Sequence, residues 1–514
     1  MNLRCVETVC EDVLESVMFA FSGAPATEPI NLPRDRTSWR AFSVAVAVAS
    51  LTLLDVSKIN VAIPAISEAL GAGATDVQLL LSGFVLAFGL LLVSSGRIGD
   101  LYSRRFMFLL GLSLFILASL GAMVAPTIEL LIAARIFQGV AAGVLMPQVL
   151  GLVQHLFQGK KRGQAFGIFW AAIALTTAFG PTLGGVLVGV GGENFGWRLL
   201  FAMNIPLGLA AFVWAARLLP KQQDNSEAVK DFDLMGTVLL GCATFTLMLP
   251  FVLTTGSSAD NPARWWLLLA FALSMTLFLW WESAYVARGK VAIVDFDLFR
   301  KSTFRYGILI SSFYFAALPA IPVVLVLFLQ QGLGFSPIVA GLVTVPFALI
   351  YAYTSYRSGK VAHKRGRPLV VVGLLAVLGG FGLVILSSFV VSDHFIPIAI
   401  AIAMTVAGAG GGAVVSINQT LMLEDVPVSQ GGLAGSLAQM GQRIGTAIGI
   451  TAALSAFFFV LGDEVAAPRS ALYHDAFAVA ASIVALLVVA ALVFALLDSK
   501  GKRTDNVAPP AVPS

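Results

Sequence analysis

The chain has 514 residues, 58% of them hydrophobic and only 12% charged, with a formal net charge of +4. An ordinary soluble domain carries roughly 25% charged residues, so this composition excludes a soluble globular protein and points to one solvated by lipid. A basic balance could suit a nucleic-acid binder, but the placement of the basic residues, given below, accounts for the charge without nucleic acid.

Residues 1 to 36 carry Glu7, Glu11, Asp12 and Glu15 ahead of FSGAPATEPINLPRDR. They lack the basic start, apolar centre and small-residue cleavage site of a secretory signal. The expectation is a cytoplasmic tail over 1–38, with Met18 as a second candidate start. A bilayer core about 30 Å thick needs about 20 apolar residues of helix to cross it. Such runs predict spans at 41–64, 77–96, 105–125, 128–150, 164–190, 199–219, 234–256, 264–286, 304–330, 338–357, 369–391, 397–420, 433–461 and 473–497, fourteen in all. Polar residues or glycines interrupt the runs at 128–150 and 397–420.

Lysine and arginine accumulate in short cytoplasmic loops. With both termini inside, the inner segments hold Arg97, Arg104, Arg105, Lys160, Lys161, Arg162, Lys221, Lys230, Arg357, Lys360, Lys364 and Arg365, among others, while the outer ones hold only Arg198, Arg264 and Arg469. An even number of spans with both ends cytoplasmic follows.

One repeat is visible. GRIGDLYSRR (96–105), after the second span, and GKVAHKRGRP (359–368), after the tenth, share an opening Gly, a basic second position, an aliphatic third and a basic end. This predicts an all-α membrane protein with a six-helix bundle over 39–220, a linker with two extra helices over 221–303, a second six-helix bundle over 304–498 and a cytoplasmic tail over 499–514. Such duplication places a substrate site near the bilayer midplane between the halves, and one half rocks against the other.

Within this apolar background, LDVSKINVAIP (54–64) carries Asp55 and Lys58 three residues apart, on one helical face. A charge at the centre of a span costs about 2.5 to 3.5 kcal/mol, so it normally faces a partner or a cavity. At 1.5 Å per residue Asp55 lies about 13 Å inward from Pro64 and Lys58 about 9 Å, while Arg135 and Gln138 of LLIAARIFQGVAAG lie about 10 and 15 Å from the outer end of the fourth span. The four polar groups are therefore expected at one level around a wet route, with Asp55 the first candidate for proton coupling and Arg135 its modulator. Arg443 in AQMGQRIGTAIG, Asn60, Asn418, Gln419 and Trp170 are further cavity candidates, and Phe179, Tyr314 and Phe347 could stack on a ligand. Asp233, Glu282, Glu424 and Asp425 fall near cytoplasmic span ends, where solvated or interfacial roles are expected.

In the connector, Gly96 and Gly99 suit a tight turn and Asp100 suits the positive start of the third span, which suggests a packed joint. In TTAFGPTLGG, Gly180, Pro181, Gly184 and Gly185 admit either a gate-like bend or close helix packing. GAGGGA (408–413) imitates a dinucleotide loop but lies in an apolar helix without a preceding strand, so small-residue packing is the reading. Cys5, Cys10, Cys242 and four scattered histidines form no disulfide framework or metal cluster.

Taken together these motifs resemble the major facilitator superfamily. GRIGDLYSRR resembles its motif A at Gly96, Asp100, Arg104 and Arg105, RIFQGVAAG its motif B at Arg135, Gln138 and Gly139, and GPTLGG its motif C, the antiporter signature, at Gly180, Pro181, Gly184 and Gly185. LDVSKINVAIP, through Asp55, Asn60, Ala62 and Pro64, and WRLLFAMNIPLG (197–208) resemble the first and sixth helices of the fourteen-helix drug:proton antiporters. The resemblance covers the chain from about residue 38. It implies a major facilitator fold in the bacterial cytoplasmic (inner) membrane, exporting amphipathic, often cationic compounds as protons flow inward. Proton transfer is then linked to Arg135 and closure to motif A; the proton gradient is the energy source and no cofactor is needed. Three departures stand out: Lys58 replaces an aliphatic residue, Thr176 stands at the usual first Gly of motif C, and His363 at the second-half position of the motif A acid. Lys58 adds positive charge beside Asp55 and weakens the usual preference for cations. An exporter of one metabolite is the alternative, and a membrane-embedded enzyme or sensor a remote one. Partners are then a small-molecule substrate, protons and the lipid bilayer; the sequence carries no sign either way of a periplasmic adaptor or an outer-membrane channel.

Overall fold

A computed structural model describes residues 32–220, 233–254, 260–290, 292–462 and 470–505. Most of the two tails, with Cys5, Cys10, Met18, Lys221, Lys230 and Arg469, lies outside these residues, and the His363 side chain is not among those described. The described chain holds fourteen helices long and apolar enough to cross a membrane. They are α1 Arg36–Leu70, α2 Thr75–Leu101, α3 Arg104–Val124, α4 Ile128–Leu156, α5 Gly159–Gly192, α6 Phe195–Leu218, α7 Leu234–Val252, α8 Pro262–Ala287, α9 Ser302–Gly332, α10 Pro337–Gly359, α11 Gly366–Val390, α12 Asp393–Met422, α13 Val428–Leu461 and α14 Ala471–Ser499.

The helices run past several predicted ends. α4 continues to Leu156 because the polar residues that interrupt its pattern are satisfied by neighbouring backbone: Gln148 Nε2 donates to Ser95 O at 2.9 Å and Gln154 Nε2 to Val426 O at 2.9 Å. The glycines of α12 likewise stay helical and let other helices approach. A Cβ on Gly408 would stand 2.5 Å from Phe347 O, on Gly410 2.3 Å from Gly373 O and on Gly412 2.2 Å from Tyr351 O. The chain turns from α5 into α6 at Gly192, whose φ of 72° belongs to the left-handed region that glycine enters without strain.

The two halves repeat one packing scheme. In the first, α4 packs on α2 and α3, and α3 on α6; in the second, α12 packs on α10 and α11, and α11 on α14. The halves meet where α13 lies on α2 and α4 and where α10 lies on α5. The inserted α7 packs on α8, α2 and α13. α8 buries only Phe278, Glu282 and Tyr285 and exposes Leu269, Leu273 and Trp280, as expected of a helix that is apolar all round and bathed in lipid.

Two acids depart from the expectation of solvation. Asp233 is buried because it caps α7, accepting Gly236 N at 2.9 Å, and also takes Trp281 Nε1 at 2.9 Å. Glu282 is buried because it accepts Val294 N at 2.9 Å from the connector between α8 and α9. Glu424 and Asp425 are exposed.

Candidate functional site

The packing of four first-half helices brings Asp55, Lys58, Arg135 and Gln138 together, none more than 1% exposed. Arg135 Nη1 pairs with Asp55 Oδ2 and donates to Gln138 Oε1 at 2.9 Å. Lys58 Nζ lies 3.3 Å from Asp55 Oδ1 and donates to Leu200 O at 2.5 Å and Asn204 Oδ1 at 2.6 Å. Asn204 Nδ2 in turn donates to Asp55 Oδ1 at 2.6 Å, and Ser119 Oγ accepts Gln138 Nε2 at 2.8 Å. The Arg135 guanidinium also stacks 4.5 Å from the centre of the Phe84 ring. One carboxylate thus serves two cations inside a bundle that buries all three, where losing one partner of an ion pair is far costlier than in water.

Asn204 on α6 and Ser119 on α3 complete this network, and the sequence reading missed both. The signal was present for Asn204, a polar residue inside the apolar FAMNIPLG as Asp55 is inside its own span. For Ser119 there was none, since a lone serine in a span can bond its own helix, as its hydroxyl does to Phe115 O at 2.7 Å.

The motif C glycines pack directly on this segment of α1. A Cβ on Gly180 would lie 1.8 Å from Ser57 Oγ, and one on Gly184 2.6 Å from Lys58 O, whereas Gly185 has only an ordinary contact with Val61 at 3.7 Å. The non-helical backbone of this stretch falls at Gly192 and not at Pro181, so close approach to α1, rather than a bend at the Gly-Pro pair, is what these glycines provide. Gly184→Ala is therefore expected to destabilise by about 1–3 kcal/mol, because the group it meets is backbone and cannot step aside. Gly189→Ala, with nothing within 4 Å, serves as the neutral control. Thermal unfolding in detergent should separate the two; equal midpoints would remove the tight α1–α5 contact.

Between the halves lies a cavity of about 500 Å³, walled by α1, α4 and α5 on one side and α9, α10 and α13 on the other. Its walls are mostly apolar and aromatic, with Phe169, Trp170, Phe315 and Phe347, and its polar groups include Gln439, Gln442, Arg443 and Thr446. The helical bonding of α9 is interrupted at Leu318 and Pro319, which both face this space.

The cavity corrects several expectations. Asp55, Lys58, Arg135 and Gln138 do not line it; at about 100° per residue, the wall residues Leu53, Val56 and Ser57 occupy the face of α1 opposite Asp55 and Lys58. The charged face turns into the first half because Asn204, Ser119 and Leu200 supply the partners that a wet route was expected to supply. Trp170, Arg443 and Phe347 line the cavity as read, while Asn60 and Phe179 are exposed elsewhere. Asn418 is spent on packing, donating to Gly307 O at 2.9 Å, and Gln419 is buried away from the wall. Tyr314 is buried behind Phe315.

Past the cavity, at the end that carries motif A, the halves are bonded together. Gly96 and Gly99 are not in a turn but inside α2, where a Cβ on Gly96 would stand 2.7 Å from Gly432 O and one on Gly99 2.0 Å from Gln148 Oε1. Asp100 does not cap α3, whose cap is Ser103. It accepts the Gly432 and Leu433 amides at 3.1 and 2.8 Å, and so caps the start of α13 across the interface. Arg104 Nε and Nη2 donate to Asp100 Oδ1 at 2.9 and 2.7 Å, and Nη2 also reaches Val428 O at 2.7 Å. Arg105 stays within the first half, bonding Ala216 O. On the other flank Arg162 Nη1 donates to Leu423 O at 3.0 Å, and Gly163 and Gly359 approach so closely that a Cβ on the first would sit 2.5 Å from the carbonyl of the second.

Two similar helical halves around one central cavity, bonded together at the motif A end, define a multi-pass membrane transporter. The chain belongs to the Major Facilitator Superfamily, whose family model matches residues 45–450. Among relatives, it is 32% identical over 436 residues to a probable actinorhodin transporter of Streptomyces coelicolor, covering 84% of this chain and 74% of that one. It is 30% identical over 492 residues to a puromycin resistance protein of Streptomyces alboniger, covering 92% and 94%. Among solved structures, a human organic anion transporter superposes with a TM-score of 0.64 at 14% identity, covering 89% of this chain and 99% of that one, a likeness of fold alone.

Proposed function

We propose that the protein is a secondary active exporter of small amphipathic compounds, antibiotics among them, in exchange for protons by alternating access. The observation that carries this is the aromatic cavity between two halves whose motif A ends are held together by the Asp100 and Arg104 bonds. The relatives, named for an actinorhodin transporter and for puromycin resistance, support a small-molecule substrate. In this reading the motif A end, rich in lysine and arginine, faces the cytoplasm together with both termini, in a bacterial cytoplasmic membrane. The bonded state is then the one closed to the cytoplasm.

Asp55 is the proton site in this reading, with Arg135 and Lys58 as the cations whose hold on it changes. A proton on Asp55 cancels the charge that both cations face, and the strain falls on α1. Gly180 and Gly184 rest on α1 at Ser57 and Lys58, and further along the same helix Gly163 and Gly167 rest on α10. Protonation thereby bears, through α5, on the seam between the halves. The cluster is sealed from the cavity in this state, so the proton enters or leaves in another one. The proton gradient is the energy source and no cofactor takes part.

The test is a panel of antibiotics and dyes offered to purified protein in proteoliposomes with an imposed pH gradient. Accumulation that a protonophore abolishes is expected; no gradient-dependent movement of any compound would overturn the proposal. A second reading, an exporter of one metabolite, is favoured by the relative named for a single compound. A panel in which only one chemical family moves would select it.

A further inference from the structure

Among the described residues, Arg443 is the only Asp, Glu, Lys, Arg or His side chain on the cavity wall. Its guanidinium carbon lies over the Phe88 ring, 4.4 Å from the centroid, and among the described residues no carboxylate pairs with it. A guanidinium stacked by its face keeps its in-plane N–H donors free at the edge. Trp170 also lines this wall, its ring 5.5 Å from Phe315, and its Nε1 is buried without a partner. The Oε1 of Gln439, also on the wall, is an acceptor without a partner.

The surroundings do not offset Arg443. Ser57 on the wall is the chain neighbour of Lys58, and behind it one carboxylate, Asp55, already answers two cations. Three cations to one acid around a cavity of low polarity make a positive space, in which a bound cation would meet repulsion with no acid to relieve it. A carboxylate or phenolate would instead accept charge-assisted hydrogen bonds from the guanidinium edge, while a flat ring system lies against Trp170, Phe315 and Phe347.

Resting on the efflux reading above, we infer that this cavity selects aromatic compounds bearing an ionised acidic group, and that Arg443 is the residue that grips that group. Lipophilic cations are its poor substrates.

The test uses three probes of one shape: 2-naphthoate, 2-naphthamide and trimethyl-2-naphthylammonium, bound to purified full-length protein by scintillation proximity. The acid is expected to bind about tenfold more tightly than either of the others, the factor that one favourable charged contact of about 1.4 kcal/mol provides. In Arg443→Gln the ratio of acid to amide should fall to about one, and Arg443→Lys, which keeps the charge but not the fork, should restore part of it. Equal binding of acid and amide, tighter binding of the ammonium, or a preference that survives Arg443→Gln would each overturn the inference, the first two on wild-type protein alone. Proton-driven transport of the amide or ammonium with no advantage for the acid would overturn it and leave the efflux reading standing. No proton-driven movement of any compound would overturn both.

Discussion

Asp55→Asn should abolish coupling between substrate movement and proton flux. The amide keeps the shape of the side chain but removes the charge that Arg135 and Lys58 share, leaving two buried cations with neutral acceptors only. Removing one partner of a buried ion pair costs about 3–5 kcal/mol, so the unfolding midpoint in detergent should fall as well. In proteoliposomes, substrate-induced proton flux is expected to drop below about a tenth of the wild-type rate, the effect of roughly 1.4 kcal/mol on a barrier. Asp55→Asn combined with Lys58→Met removes one stranded cation and should recover stability without recovering coupling. Undiminished coupled exchange in the single variant would remove Asp55 from the mechanism.

The second large effect is expected at the seam. Asp100→Asn leaves one oxygen to accept where two now meet the Gly432 and Leu433 amides, and it cancels the charge that faces both the α13 start and Arg104. Hydrogen bonds to charged groups contribute about 1.5–3 kcal/mol each, so the state closed at this end should lose about one to two orders of magnitude in relative population. Spin labels at the exposed Lys160, on the start of α5, and Arg357, near the end of α10, would report it as a longer distance at the expense of the short one. An unchanged distance distribution would show that the acid is not part of the closure.

The fourteen spans were legible because lipid imposes a crude rule, an apolar stretch of sufficient length, that local composition either meets or does not. The meeting of Asp55, Lys58, Arg135 and Gln138 was legible for a related reason: charges are so rare inside a span that equal depth nearly fixes who pairs with whom. Which way that cluster faces was not. Asp55 and Ser57 are two residues apart, yet one looks into the first half and the other into the cavity, and only the packing of α3 and α6 behind α1 decides it. Asn418 and Gln419 look like cavity groups for the same reason that Arg443 does, but a polar side chain in a span can be satisfied by any nearby backbone carbonyl, as Asn418 is by Gly307. Asp100 illustrates the remaining limit: it was expected to complement the start of the third span, but the amides it caps lie more than 300 residues away, where local reasoning does not reach.

The inserted pair has unequal attachments. Toward α13 it is bonded, Thr451 Oγ1 donating to Phe251 O at 2.8 Å; toward α2 it only leans, Met248 Sδ standing 2.9 Å from where a Cβ on Gly89 would be. A thioether on a pliable chain resting against bare backbone slides easily, whereas a hydroxyl bonded to a carbonyl does not. If the halves swing as proposed, α7 and α8 are expected to follow the second one through the Thr451 bond, with that flank sliding between Met248 and Gly89.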